Sequence, residues 1–204
     1  MSSKKGRRIG LFGGSFDPIH FGHLNLALSL IENGSVDEII FCPAHTSPLK
    51  KDEPPSASNE ARLKMISLAI APIKEFSLLD WEIKRAPPSY TINTVRHLLA
   101  QEENRGAELR LILGDDALHT LMRWKEVEEL LRLAPPLIGS RLGDFLTEIP
   151  SSLIQTVKNS LVHIPVLEIS STEVRSRLRQ KKFCGYLVPS KVLDYIAENN
   201  LYSL

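Results

Sequence analysis

The sequence predicts an α/β domain: an open parallel sheet with helices on both faces and a small helical segment at the C-terminal end. Short apolar runs alternate with amphipathic helical stripes along the chain, the pattern that yields parallel sheets. The first run and the first stripe are joined by a glycine turn, Gly13-Gly14-Ser15-Phe16-Asp17-Pro18-Ile19-His20-Phe21-Gly22-His23. A length of 204 residues, 43% hydrophobic and 24% charged, suits a single globular domain over 1–204 with a proper core.

The first strand covers about residues 9–13. Leu24, Ala27, Leu28 and Ile31 then fall at i, i+3, i+4 and i+7 of a helix over 21–32, ended by Asn33-Gly34. A second strand at 37–42 is stopped by Pro43. Residues 43–58 hold four prolines and read as a long surface loop. A helix over about 59–71 puts Leu63, Ile66 and Ile70 on one face. Residues 76–83 read as a third strand that includes Trp81, and 85–90 as loop. Thr91 or Ile92 starts a helix with Val95, Leu98 and Leu99 inward, closed by Gly106. Residues 109–113 are the clearest strand, with Gly114-Asp115-Asp116 as its exit. A helix over 124–133, a short strand at 136–138 and a weaker helix at 151–160 follow. The last strand, 161–169, contains Pro165, which argues for a sheet edge or a bulge. Ser170 or Ser171 caps the next helix. Pro189 opens the last one, with Val192 and Ile196 inward.

Composition excludes several classes. The formal net charge of +1 gives no broad attraction to nucleic acid or to an anionic membrane, so any anion site is local. No apolar run approaches the ~20 residues of a spanning helix, and no signal-peptide core follows Met1; a cytoplasmic protein is expected. Residues 1–7, with Lys4, Lys5 and Arg7, are expected to form a flexible tail. Cys42 and Cys184 have no metal or redox spacing and are expected as buried thiols.

In such sheets, ligands bind beyond the carboxyl ends of the strands. That places 13–23, 43–50, 114–116 and 170–175 on one rim. The two glycines let the backbone approach a bulky ligand. The helix start that follows aims free N–H groups and a positive dipole end at phosphate. His20 and His23 sit there, three residues apart, and can face the same way. They suit hydrogen bonding to phosphate oxygens whose charge grows during phosphoryl or nucleotidyl transfer. Metal ligation is the weaker alternative, for want of an evident third ligand. Ser170-Ser171-Thr172-Glu173-Val174-Arg175 reads either as a helix cap before a solvated basic face or as a second phosphate site. Lys50 is either a solvated loop lysine or a rim cation. Gly114-Asp115-Asp116 suits a ribose, a metal-bound ligand or a plain helix cap. Trp124 is either core or a platform for a flat ring.

The motif G-G-x-F-D-P-x-H-x-G-H, present as Gly13 to His23, resembles the signature of nicotinate-nucleotide adenylyltransferases, within the nucleotidyltransferase superfamily that carries H-x-G-H. Four further blocks share the likeness. Pro43 to Lys50 is similar to P-x-x-x-P-P-H-K. Ser89-Tyr90-Thr91 with Thr94, preceded by Glu82 and Arg85, is similar to the S-Y-T block. Gly114-Asp115-Asp116 with Trp124 is similar to G-x-D…W. Ser170 to Arg175, with Tyr186-Leu187-Val188-Pro189, is similar to I-S-S-T-x-(I/V)-R and Y-(L/I)-x-P. The likeness runs in order from about residue 8 to the C-terminus.

The resemblance implies a Rossmann-like sheet and one reaction: ATP and nicotinate mononucleotide give nicotinate adenine dinucleotide and pyrophosphate, with Mg2+ accompanying ATP. It implies that the mononucleotide's phosphate attacks the α-phosphorus directly. By similarity His20, His23, Lys50 and Arg175 serve the reacting phosphates. Gly13, Gly14, Ser15, Phe16, Ser171 and Thr172 join them in holding ATP. Asp17, Ser89, Tyr90, Thr91, Gly114, Asp116 and Trp124 would bind the acceptor, with Thr91 at the pyridine carboxylate, Asp116 at the ribose hydroxyls and Trp124 stacked on the pyridine. The alternative is the same transfer to nicotinamide mononucleotide or another phosphorylated acceptor; the S-Y-T and G-x-D…W blocks argue against phosphopantetheine. Ser47 and Leu49 depart from the family's proline and histidine, and Ser140-Arg141-Leu142-Gly143 lacks the usual proline. No stretch fixes the oligomeric state, so a homo-oligomer stays open.

Overall fold

The structure is a computed structural model, and it describes residues 6–50, 54–114, 117, 120–140, 155, 158–165 and 167–203. Its strands are β1 (Arg8–Gly14), β2 (Glu38–Pro43), β3 (Phe76–Leu78), β4 (Glu108–Leu113), β5 (Pro136–Ser140) and β6 (Leu161–His163). They form one sheet in the order β3-β2-β1-β4-β5-β6, and every pair is parallel. The helices are α1 (Phe21–Glu32), α2 (Asn59–Ile70), α3 (Thr91–Ala100), α4 (Val127–Leu133), α5 (Ser171–Arg179) and α6 (Ser190–Glu198).

The central strands are covered on both faces, which is why they read as continuous apolar runs. Phe12, Ile39, Phe41 and Ile112 pack beneath α1, α2 and α6. Ile9, Leu11, Leu109 and Leu111 pack against Ile92, Val95 and Leu98 of α3 and Leu130 of α4. The chain winds outward from β1 to β2 and β3, then returns to lay β4 beside β1. Strand order therefore reverses between β1 and β4, and a crevice opens beyond their carboxyl ends. Gly13-Gly14 leaves β1 on one side of it and Gly114 leaves β4 on the other. Among the described residues, no helix is long and apolar enough to cross a membrane.

Several boundaries differ from the sequence expectation, each for a local reason. The third strand stops at Leu78, because 81–85 are turn. The Lys84 amide donates to the Asp80 carbonyl at 3.1 Å, and the Lys84 ammonium meets Asp80 at 2.7 Å. Trp81 is thus in a turn, with its ring stacked on His97. The helix expected from 124 begins at Val127, because Glu126 adopts a left-handed φ of 52°. The helix begun at Thr91 ends at Ala100 rather than Gly106; the Asn104 amide closes it by donating to the Leu98 carbonyl at 2.9 Å. The final strand shrinks to β6, and it lies at a sheet edge, as Pro165 suggested. Of the expected 151–160 helix, Gln155 and residues 158–160 are helical and the rest lies outside the described residues.

Candidate active site

A cleft of about 1370 Å³ sits over the reversal point between β1 and β4. One wall is the β1–α1 turn. Phe16 takes a left-handed φ of 48° and turns its ring into the core, edge-on to Phe12 at 5.5 Å. A Cβ on Gly14 would stand 3.1 Å from that ring. A Cβ on Gly13 would meet nothing within 4 Å and would project toward the cleft that Gly13 lines.

His20 and His23 lie face to face, ring centroids 3.7 Å apart and planes 24° from parallel. Gly22 makes this possible: a Cβ there would press within 3.0 Å of the His20 ring and 3.2 Å of the Leu167 carbonyl. Phe16 and Phe12 pack edge-on behind His23, at 5.0 and 5.9 Å. Burial lowers the His20 pKa to about 4. Burial, then the neighbouring His20, hold His23 well below its ordinary value. Both rings are therefore neutral at pH 7. The His20 amide donates to His23 Nδ1 at 3.3 Å, so we assign the His23 proton to Nε2. His20 Nδ1 is buried without a partner.

The second phosphate-binding candidate meets the first. Ser170 caps α5, its hydroxyl accepting from the Glu173 amide at 3.1 Å. Ser171 Oγ donates to the Pro18 carbonyl at 2.9 Å. Arg175 donates to the Asp17 carbonyl at 2.7 Å and to Thr172 Oγ1 at 3.2 Å. The start of α5 is thus strapped onto the β1–α1 turn, with Ser171, Thr172 and Arg175 on the cleft. Asp17, expected at the acceptor, lines the cleft and is also tied to the rest of the protein. Its buried carboxylate accepts from the Ser56 amide at 2.7 Å, the Ala57 amide at 3.0 Å and the Tyr202 hydroxyl at 2.8 Å. Arg175 lies 3.6 Å from it.

The opposite wall is the start of α3. Tyr90 occupies the N-cap position without a side-chain cap, and no acidic residue stands in the first turn. The amides of Thr91 and Ile92 are left open toward the cleft that both residues line. Ser89 lines the cleft and straps it to the loop after β2: its Oγ accepts from the His45 amide, and its own amide donates to the Thr46 carbonyl, both at 3.0 Å. Glu82, buried beneath this corner, accepts from Thr94 Oγ1 at 2.5 Å. Burial raises its pKa, opposed by hydrogen bonds from Thr94, Ser89 and Cys42. Tyr90 carries the Lys125 ammonium over its ring at 4.7 Å. Gly114 and Trp124 line the same cleft, and Trp124 Nε1 donates to Thr120 at 3.4 Å. Asp115, Asp116, the Lys50 side chain and residues 141–143 lie outside the described residues.

Known proteins share this plan. A cytidylyltransferase-like family model matches residues 11–177. A Bacillus subtilis nicotinate-nucleotide adenylyltransferase is 38% identical over 196 residues, covering 96% of this chain and 98% of its own. A Methylacidiphilum infernorum protein, called a probable nicotinate-nucleotide adenylyltransferase, is 40% identical, covering 96% and 92%. The chain belongs to the nicotinate-nucleotide adenylyltransferase family. The fold agrees with a solved Plasmodium falciparum nicotinic acid mononucleotide adenylyltransferase in complex with NaAD, at a TM-score of 0.76 and 24% identity, covering 96% and 97% of the two chains.

Two buried residues escape the family motifs as read from sequence: Arg62 and Tyr202. Arg62 was detectable. It precedes Met65, Ile66 and Ala69 by three, four and seven residues and so falls on the buried stripe of α2.

The low histidine pKa values set a pH dependence. An unfolded histidine titrates near 6.5 and folded His20 near 4, so the unfolded state binds more protons in that window and stability falls as pH falls. The slope from His20 alone reaches at most about 1.4 kcal/mol per pH unit. Chemical denaturation between pH 7.5 and 4 is expected to show a shallower loss for His20→Gln than for the wild type. Parallel curves would contradict the burial of His20 as a neutral ring.

Proposed function

We propose that the protein transfers the adenylyl group of ATP to nicotinate mononucleotide and releases pyrophosphate. The observation that carries this is one cleft lined both by a glycine turn with stacked, neutral imidazoles and by an uncapped helix start. The names of the relatives at 38–40% identity support the same acceptor.

ATP lies over the β1–α1 turn, where Gly13 leaves room for its backbone contact. Its polyphosphate runs between the starts of α1 and α5, whose N–H groups and dipoles favour anions. Ser171, Thr172 and Arg175 hold the tail, and Lys50 adds a cation from the 43–50 loop. Mg2+ enters as part of the MgATP substrate, bound through the phosphates. On the other wall, the α3 amides and Thr91 receive the pyridine carboxylate, Trp124 stacks on the pyridine, and Asp116 with Gly114 receives the ribose.

A phosphate oxygen of the mononucleotide attacks the α-phosphorus of ATP. The bond from that phosphorus to the bridging oxygen of the β-phosphate breaks, and pyrophosphate leaves with the electron pair. Such a step needs alignment and charge stabilisation more than covalent help. His20 and His23 supply neutral N–H donors aimed at oxygens that gain charge in the transition state. The positive charge comes from Arg175, Lys50 and the metal of MgATP. A neutral amide on the acceptor would leave the α3 donors unpaired, which disfavours nicotinamide mononucleotide. The protein works where ATP is made and used, in the cytoplasm.

A pyrophosphate-release assay with MgATP is expected to run at least about tenfold faster, in kcat/KM, on nicotinate than on nicotinamide mononucleotide. Equal values would remove the carboxylate assignment. Trp124→Ala is expected to raise the KM for the mononucleotide, by the equivalent of about 1–3 kcal/mol of lost stacking. An unchanged KM would return Trp124 to the core.

A further inference from the structure

Arg62 is a fully buried arginine in α2, at 0% exposure. Its neighbours on the inner stripe of the helix are Ala61, Met65 and Ile66, and an apolar residue would fill that position at less cost in desolvation. Among the described residues, none of the ion pairs includes it. Burial lowers its pKa, and Asp17, Tyr202 and Glu60 partly offset this through their fields.

The guanidinium works as a fork. Nη1 donates to the Ser15 carbonyl at 2.7 Å. Nη2 donates to Asn59 Oδ1 at 2.6 Å and reaches the His45 carbonyl at 3.4 Å. Nε is buried without a partner. Ser15 belongs to the turn after β1, and His45 to the loop after β2. A planar, always-charged fork can bridge two carbonyls in this way, and a lysine cannot reproduce the geometry. The Ser15 carbonyl has its side chain's neighbours Gly14 and Phe16 on the cleft, and the His45 loop continues through Ser47 and Pro48 along the same rim. The bridge therefore registers the two turns that flank the glycine wall. It does so from behind the wall, with no exposed surface of its own and with Nη1 2.7 Å from the carbonyl of the turn over which ATP is proposed to lie.

We propose that Arg62 is a positioning residue for the polyphosphate of ATP: it locks the Ser15 turn to the His45 loop from behind the cleft wall and adds its positive charge to the site. This rests on the reading that ATP lies over the 13–17 turn. Ser89 links the His45 loop to the wall that carries the α3 start, but the shorter Arg62 contact, at 2.7 Å, is to the Ser15 carbonyl of the ATP-side turn, so the ATP side is expected to feel its loss most.

Steady-state kinetics of Arg62→Gln, Arg62→Lys and Asn59→Ala test it, with MgATP and nicotinate mononucleotide varied separately. For Arg62→Gln, the KM for ATP is expected to rise about tenfold, with kcat and the acceptor KM within about threefold. Arg62→Lys, which keeps the charge and loses the fork, is expected to fall between Arg62→Gln and the wild type. Asn59→Ala removes one Nη2 acceptor at a half-exposed position and is expected to raise the ATP KM about twofold, which keeps the test open if Arg62→Gln does not fold. An unchanged ATP KM in folded Arg62→Lys and Asn59→Ala, or an equal rise in both KM values, would overturn the proposal. Wild-type protein that turns over neither substrate would overturn the functional reading instead.

Discussion

The buried carboxylate of Asp17 is the contact on which the site depends. It lies in the β1–α1 turn, yet its partners come from Ser56 and Ala57 before α2, Arg175 in α5 and Tyr202 beyond α6. A buried carboxylate is tolerable only when its lone pairs are met. Here they are met by groups from segments up to 185 residues away. Arg175 and Ser171 tie the α5 start to residues 17 and 18. The β1–α1 turn is thus tied both to α5 and to the chain beyond α6.

Around that node the protein accepts destabilising features where the ligand is to be. Two imidazoles are stacked and dried until neither is charged at neutral pH. The α3 start is left without a side-chain cap, and an arginine is buried beneath the glycine turn. Each would be costly in an ordinary core. Each leaves an open donor or a positive field at the reversal point of the sheet, where a polyanion and a carboxylate would supply what is missing. Fixed donors need little reorganisation as charge moves during the reaction.

Local features of the fold and site were legible in the sequence. The glycine turn, the helix from Phe21, the Ser170 cap and the edge position signalled by Pro165 depend on neighbours within a few residues, so pattern alone finds them. What the sequence did not carry comes from tertiary partners. Trp81 looked like strand until the Asp80–Lys84 turn was seen. Asp17 and Ser89, read as ligand contacts from their family blocks, line the cleft and also bond amides of distant segments. Nothing in the spacing of Tyr202 announces a bond to residue 17. Arg62 was visible as a charge on an apolar stripe, but its two carbonyl partners belong to different turns.

The central claim is that this site positions and stabilises without forming a covalent bond to the adenylyl group. His20 and His23 are the groups that would contradict it, since a nucleotidyl-imidazole intermediate is the chemical alternative. The stereochemical course at the α-phosphorus decides between them. With ATP carrying a single α-phosphorothioate diastereomer, direct in-line attack by the mononucleotide's phosphate gives a dinucleotide with inverted configuration. That is the outcome expected here; retention would mean two displacements through an enzyme-bound adenylyl group and would contradict the account.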